Sequence, residues 1–443
     1  MKTKYVAPAI GAGVRMPRAE EASFESRTYG KVTRRLIPFL MLCYLGAYLD
    51  RVNVGFAKLQ MLNDLQFSET IYGLGAGIFF LGYFLFEVPS NVILHKVGAR
   101  NWLARIMLTW AVISAGFAFV TTPTQFYVLR FLLGVAEAGF APGVILYMTY
   151  WFPSERRAKA LSMFFMAIPL AGIVGGPLSG WIMHAFHGAH DLAGWKWLFL
   201  IEALPSLLLG IAILSYLDNG IRDAKWLSDQ EKQLLLRNVE GDNAQKVRHI
   251  SVRAFMADRR LWLMAAIYFC VVLGQYGLTF WLPTIVRKTG VADPLWVGIL
   301  TAVPYLCAIV ALPLIGRSAD LRRERRLHLA MPMLVAAAAF GTLPMLGSIP
   351  AAIACLCVAA AGIISSSAQF WALPTAMLGG MSAAAGIAAV NCVANLAGFF
   401  SPAIVGWLND LTGRSTAGLV FISATVVLGA LLVFLVPART VNR

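Results

Sequence analysis

The sequence predicts an all-α membrane protein of twelve transmembrane helices in two six-helix halves, with both termini cytoplasmic. Three observations carry this. The 443 residues are 59% hydrophobic and 13% charged, with a mean hydropathy of +0.70, whereas soluble domains average about 45–50% apolar and about 25% charged. Apolar stretches long enough to cross a bilayer, about 20 residues each, recur twelve times. The basic residues, finally, crowd onto alternate loops.

Residues 1–33 mix Lys, Arg, Glu and Pro without an apolar core. They are no signal peptide and predict a solvated cytoplasmic tail. Apolar runs at 35–57, 71–94, 102–121, 125–148, 159–183 and 195–217 build an N-terminal bundle over 34–217. A polar stretch, 218–260, predicts a cytoplasmic linker, in which Ser228-Asp-Gln-Glu231 is a capping box that starts a short tethering helix. Runs at 261–283, 295–315, 328–347, 350–373, 384–408 and 416–437 then build a C-terminal bundle over 261–437, and 438–443 form a second cytoplasmic tail.

The charge of +15 has a topological explanation. Thirty of the 37 Lys and Arg fall in the tails, the linker and the loops on that same side, so the positive-inside rule makes that side the cytoplasm. No nucleic-acid partner is needed. The partner implied by composition is the lipid bilayer, around a monomer. All six cysteines lie in apolar runs without C-x-x-C spacing, which indicates neither disulfides nor zinc. His184, His187, His190 and Asp191 match no standard metal spacing across a helix end. No metal or cofactor is expected.

The halves echo each other at an offset of 225: Asn91–Arg100 against Gly316–Arg326, and Pro177-x-x-Gly-Trp181 against Pro402-x-x-x-Gly-Trp407. A six-helix unit repeated in parallel is a secondary-transporter architecture, with substrate held between the halves. Over about residues 34–437 the chain resembles the major facilitator superfamily. The loops after helices 2 and 8 are similar to its G-x-L-a-D-r-x-G-r-k signature, with His95 where the first copy has Asp and Asp320 present in the second. YLDRVNVGFA, FFLGYFLFEVPSNVILHKVGAR and RFLLGVAEAGFAPG resemble, more narrowly, its anion:cation symporter family. That resemblance implies transport of organic anions with protons or sodium. In bacteria it implies import of tartrate, sugar acids or aromatic carboxylates across the inner membrane.

YLDRVNVGFA ends the first apolar run yet carries Asp50 and Arg51. A charge at membrane depth costs at least a few kcal/mol, and intramembrane ionisable residues are functional by default. At 1.5 Å per residue, Asp50 lies about 21 Å beyond Leu36, while Arg130 and Glu137 lie about 8 and about 18 Å into helix 4 from its other end. Asp50, Arg51 and Arg130 thus share a depth, and Glu137 lies two turns from Arg130 on one face. The expectation is that Asp50 and Arg51 face a cavity between the halves, where charges lower each other's cost by pairing. Arg51 attracts a substrate carboxylate, Asp50 and Glu137 carry protons, and Arg130 switches partners between them. The resemblance supports these roles through the D-R and R-x6-E matches. The competing reading is a structural ion-pair network holding helices 1 and 4.

Other polar positions complete a candidate pocket: Tyr44, one face with Arg51; Tyr83 in helix 2; Gln275 and Tyr276 in helix 7; Trp371 in helix 10; Asn391 and Asn395 in helix 11. Each alone is more often a packing residue or a helix–helix hydrogen bond, but the resemblance places substrate contacts on these helices. Glu87, Arg100 and Asp320 are candidates for a cytoplasmic gate. The glycines of Gly139-x-x-x-Gly143 and of Gly172, Gly176 and Gly180 read as packing positions.

The alternative function is drug/proton antiport, because Gly172-x-x-x-Gly176-Pro177-x-x-Gly180 resembles the antiporters' helix-5 signature and departs from it at Trp181. Two arginines near the cavity favour anions over lipophilic cations. The protein is not expected to be an enzyme, since G-x-S-x-G, H-E-x-x-H and G-x-x-x-x-G-K-[ST] motifs are all missing.

Overall fold

The computed structural model describes residues 18–244, 258–377 and 381–441. Among them all regular structure is helical, and twelve segments are long and apolar enough to cross a membrane. In chain order these are Ala22–Leu65, Glu69–Val97, Ala99–Phe119, Pro123–Thr149, Ser154–Ala185 and Gly194–Tyr216, then Arg259–Lys288, Pro294–Arg322, Arg326–Met345, Ile349–Pro374, Ala389–Thr412 and Thr416–Val433. They are called spans 1 to 12. An even number of crossings returns the chain to the side on which it began, here the terminal side; the opposite side is distal.

The N-terminal tail is shorter than the sequence predicts. Helix begins at Arg18, and Tyr29, Val32 and Leu36 are buried in the core, a spacing that puts one apolar stripe along the helix before the hydrophobic run proper. Residues 1–17, 245–257 and 442–443, the remainder of the predicted tails and linker, lie outside the described residues. Within the linker, the predicted capping box forms: Ser228 Oγ accepts from the Glu231 amide at 3.2 Å and the Glu231 carboxylate accepts from the Ser228 amide at 2.8 Å. The helix it starts runs Asp229–Ala244. Lys31 of span 1 reaches Glu231 at 2.9 Å and ties the linker to the bundle.

Five spans are interrupted where the apolar pattern alone shows continuous helix: at Asn53, at Ala138–Gly139, at Met166, at Trp371 and at Leu396. Spans 4 and 5 and their counterparts 10 and 11 are all broken, though not at positions related by the offset of 225, and span 7 is continuous where span 1 is broken. Gly139 shows the physical cause most directly. Its φ is +87° and Ser90 of span 2 sits against it, so a side chain there would meet both backbone strain and Ser90.

The halves meet along two pseudo-equivalent seams, span 5 on span 8 and span 2 on span 11. Lipid tails are as apolar as leucine, so close packing, and not water, drives this association. Gly176 lies against Gly298 and Thr301, Gly180 against Pro294 and Gly298, and Gly172 against the Tyr305 ring. In the second seam Gly73 faces Pro402 and Gly77 faces Phe399. The span-5 glycines are packing positions, as read from sequence. Gly139 adds a break.

Closure is concentrated on the distal side. The Tyr72 hydroxyl donates to the Phe280 carbonyl at 3.0 Å. Thr70 N donates to Asp410 at 2.7 Å, His184 Nδ1 lies 2.8 Å from Asp293, and Arg287 donates to the Leu59 carbonyl. Lys58, 3% exposed, pairs with Glu69 at 2.5 Å and sits 3.6 Å over the Trp281 ring. These contacts seal the distal mouth between the halves.

Candidate functional site

Asp50 and Arg51 end the first helix of span 1, just before the break at Asn53. Arg51 forms an ion pair with Glu137 of span 4, both nearly inaccessible to solvent. Glu137 is the last residue of its helix segment, so the break at Ala138–Gly139 helps aim the carboxylate. The guanidinium lies 5.4–5.8 Å from the ring centres of Phe79, Tyr83 and Tyr48. Tyr44, Tyr83 and, from the C-terminal half, Tyr276 are within its electrostatic reach. Tyr276 in turn packs edge-on against Phe80 of span 2 at 4.5 Å. The Arg51–Glu137 pair is therefore walled by tyrosines of both halves, at the interface where secondary transporters hold substrate.

Two sequence expectations fail in their geometry. Asp50 does not face the space between the halves. Its carboxylate accepts from Trp110 Nε1 at 3.1 Å, Ser114 Oγ at 2.9 Å and Ser206 Oγ at 2.6 Å, all within the N-terminal half. The reason is helical periodicity: adjacent residues point about 100° apart, so a helix that turns Arg51 toward Glu137 turns Asp50 into spans 3 and 6. Arg130 is not shared between carboxylates either. Its guanidinium donates to the Gly75 and Ala76 carbonyls of span 2, both at 3.1 Å, using the second lone pair that a helical carbonyl retains. Arg51 lies beside Tyr48 and Tyr83 and pairs with Glu137.

The other predicted pocket residues are more scattered. Gln275 lines a small internal cavity with Tyr48, Thr279 and Tyr305. Trp371 sits at the break of span 10, edge-on to Tyr268 at 4.7 Å. Asn391 and Asn395 are half-buried in span 11. Glu87 lies within electrostatic reach of Arg51 and Cys392. Of the gate candidates, Asp320 is exposed, and no ion pair joins Glu87, Arg100 and Asp320 among the described residues.

Two further buried charges, Glu202 and Lys58, received no role from the sequence. Glu202 of span 6, 3% exposed, accepts from Ser179 Oγ at 2.7 Å and lies near Asp50 and Asn53. Ser206, one turn further along span 6, holds Asp50. Lys58 falls just past the apolar run 35–57, where the sequence predicts a loop. It lies inside the apolar helix Val54–Leu65.

Two six-helix halves around a buried charge pair and a tyrosine-lined interface define a membrane transporter. A family model described as Major Facilitator Superfamily matches residues 40–402, and the chain belongs to that superfamily. It is 47% identical to a protein of Pseudomonas putida provisionally named metabolite transport protein NicT, over 94% of this chain and 95% of that one. A protein of Agrobacterium vitis provisionally named tartrate transporter is 45% identical over 95% of each chain. A quinolone resistance transporter of Acinetobacter baumannii is 43% identical over 94% of this chain and 96% of its own. Among solved structures, a bacterial homologue of the lysosomal transporter Spinster, inward-facing and unoccupied, superposes with a TM-score of 0.76 at 16% identity, over 92% of this chain and 97% of that one. A D-xylose–proton symporter superposes at 0.69 with 15% identity, over 92% and 99%. The protein is thus a multi-pass transporter of the bacterial inner membrane.

Proposed function

We propose that the protein imports a small organic anion (tartrate-like, a sugar acid or an aromatic carboxylate) in symport with protons, by alternating access. The observation that supports this most is the Arg51–Glu137 pair, buried among tyrosines of both halves. An incoming carboxylate competes with Glu137 for the Arg51 guanidinium. A carboxylate that loses its partner away from water is costly as an anion, so Glu137 takes up a proton as substrate binds. Asp50, held by three donors beside Glu202, is a second proton site inside the N-terminal half. Arg130, anchored on span 2 carbonyls, holds span 4 in register and supplies positive potential. The names of the Agrobacterium and Pseudomonas relatives agree with a metabolite substrate.

The closed distal seam corresponds to an inward-facing state if the terminal side is the cytoplasm, as the basic loops indicate. The test uses proteoliposomes with an internal pH dye and a panel of tartrate, sugar acids, phthalate and hydroxybenzoate, with wild type and Glu137→Gln compared. Lumenal acidification by one anion, abolished in the variant, is the expected result. Silence across the panel from folded protein, with sodium also supplied, overturns it. That outcome favours the second reading, efflux of lipophilic compounds, for which the quinolone resistance relative is the specific motive.

A further inference from the structure

Behind the distal seam, inside the C-terminal half, lies a cavity of about 210 Å³ walled by the distal ends of spans 7, 9, 10, 11 and 12. Its polar lining includes Trp281, Thr284, Lys288, Asn409 and Thr416, and among its lining residues Lys288 is the one charged side chain. Asn409 is 5% exposed, yet neither its amide nitrogen nor its amide oxygen has a hydrogen-bond partner. The Trp281 indole N–H and the Thr284 hydroxyl are likewise buried and unpaired. A buried polar group left unsatisfied is costly. Four such atoms on three residues line this one cavity and offer donors and acceptors to whatever occupies it.

We propose that this cavity is a second binding site, for a small carboxylate of about the size of malonate. Trp281 can only donate, Asn409 and Thr284 can both donate and accept, and Lys288 at the rim supplies a positive charge with no lining carboxylate to oppose it. The nearby acids are already engaged: Glu69 pairs with Lys58, and Asp410 accepts from Thr70. A cavity of about 210 Å³ holds several waters or a short dicarboxylate. The site also touches the seam. The Trp281 whose N–H faces no partner carries Lys58 over its ring at 3.6 Å, and Asn409 adjoins Asp410, which binds Thr70 of the other half. A bound anion holds spans 7 and 11 together directly behind the contacts that close the distal mouth.

The inference is independent of the substrate assigned to Arg51, and its test separates the two. Sodium malonate is titrated into the purified full chain and the melting temperature is compared with sodium chloride at matched ionic strength. A saturable rise of a few degrees is expected in wild type and in the double variant Arg51→Gln/Glu137→Gln. The same rise is expected to need at least ten-fold more malonate in Asn409→Leu and in Lys288→Gln. Thr284→Val, which changes little volume, replaces Asn409→Leu should that variant fail to fold. Four outcomes overturn the proposal: no saturable rise in wild type, a rise unchanged in the cavity variants, a rise lost with Arg51, or a rise that neutral malonamide reproduces.

Discussion

Asp50 and Arg51 are neighbours in the chain and face opposite surroundings: the carboxylate is held by Trp110, Ser114 and Ser206 inside the N-terminal half, while the guanidinium pairs with Glu137 beside the tyrosines of both halves. The rotation of about 100° between adjacent helical residues divides the pair between a sealed polar cluster and the interface.

Removing one member of the Arg51–Glu137 pair leaves the other charge buried. Breaking a buried ion pair costs about 3–5 kcal/mol, whereas neutralising both partners can be nearly neutral. Arg51→Gln and Glu137→Gln singly should therefore lower the melting temperature markedly, and the double variant should recover most of the loss. Differential scanning fluorimetry checks this, and a double variant as unstable as the sum of the singles contradicts it.

Trp110→Phe keeps the aromatic volume and removes one donor to the Asp50 carboxylate. A hydrogen bond to a charged acceptor contributes about 1.5–3 kcal/mol. The variant should be destabilised by about that amount while the Arg51–Glu137 pair is untouched. Equilibrium unfolding in mixed micelles gives the stability, and an unchanged value means that the indole donates nothing there.

Gly298→Ala places a methyl group against the Gly176 backbone carbonyl carbon, 2.9 Å from it, and 3.2 Å from Gly180 Cα. Backbone cannot swing aside as a side chain can, so spans 5 and 8 must separate. Overpacking of this kind typically costs about 1–3 kcal/mol. The expected result is a less stable protein with impaired transport, and a fully active, equally stable variant would count against the close approach.

Tyr72→Phe deletes the hydroxyl that donates to the Phe280 carbonyl across the seam. A net loss of about 1 kcal/mol corresponds to roughly a five-fold shift toward the distal-open population. Spin labels on exposed Asn63 and Arg414, one in each half, should show a longer distance gaining weight in the variant by pulsed electron resonance. An unchanged distribution would show that this bond does not hold the seam.

The linker helix carries a pH dependence outside the membrane. Burial pushes the Glu231 carboxyl up, but the Ser228 amide and Lys31 outweigh it and hold the pKa below the usual value. A folded pKa below the unfolded one gives stability that is present above the unfolded pKa and lost as pH falls through the folded one. Glu231→Gln should thus be destabilised by about 1 kcal/mol at pH 7, with the gap from wild type closing at acidic pH. Thermal melts of both proteins across pH 3 to 7 measure the gap.

The apolar run lengths, the alternation of basic loops and the offset between the halves were enough to establish twelve spans, a duplicated six-helix unit and the Ser228 capping box. These are local or composition-level signals, because a bilayer demands about 20 apolar residues whatever their neighbours. The rarity of charge at membrane depth likewise singled out Asp50, Arg51, Arg130 and Glu137 as the residues that need partners. Which partner each one takes was not local. The break at Ala138–Gly139 aims Glu137, the rotation of span 1 sends Asp50 to Trp110 and Ser206, and the carbonyls of Gly75 and Ala76 take Arg130, all over sequence separations of 54 residues or more. Lys58 shows the same limit: a cation read as belonging to a loop lies under cover of Trp281, 223 residues away, because only the docked halves bring that ring over it. The sequence by itself determined that charges must be neutralised inside this membrane protein. The packing of the two halves decided which groups neutralise them, since helix rotation, helix breaks and the seam between halves are set by contacts between residues far apart in the chain.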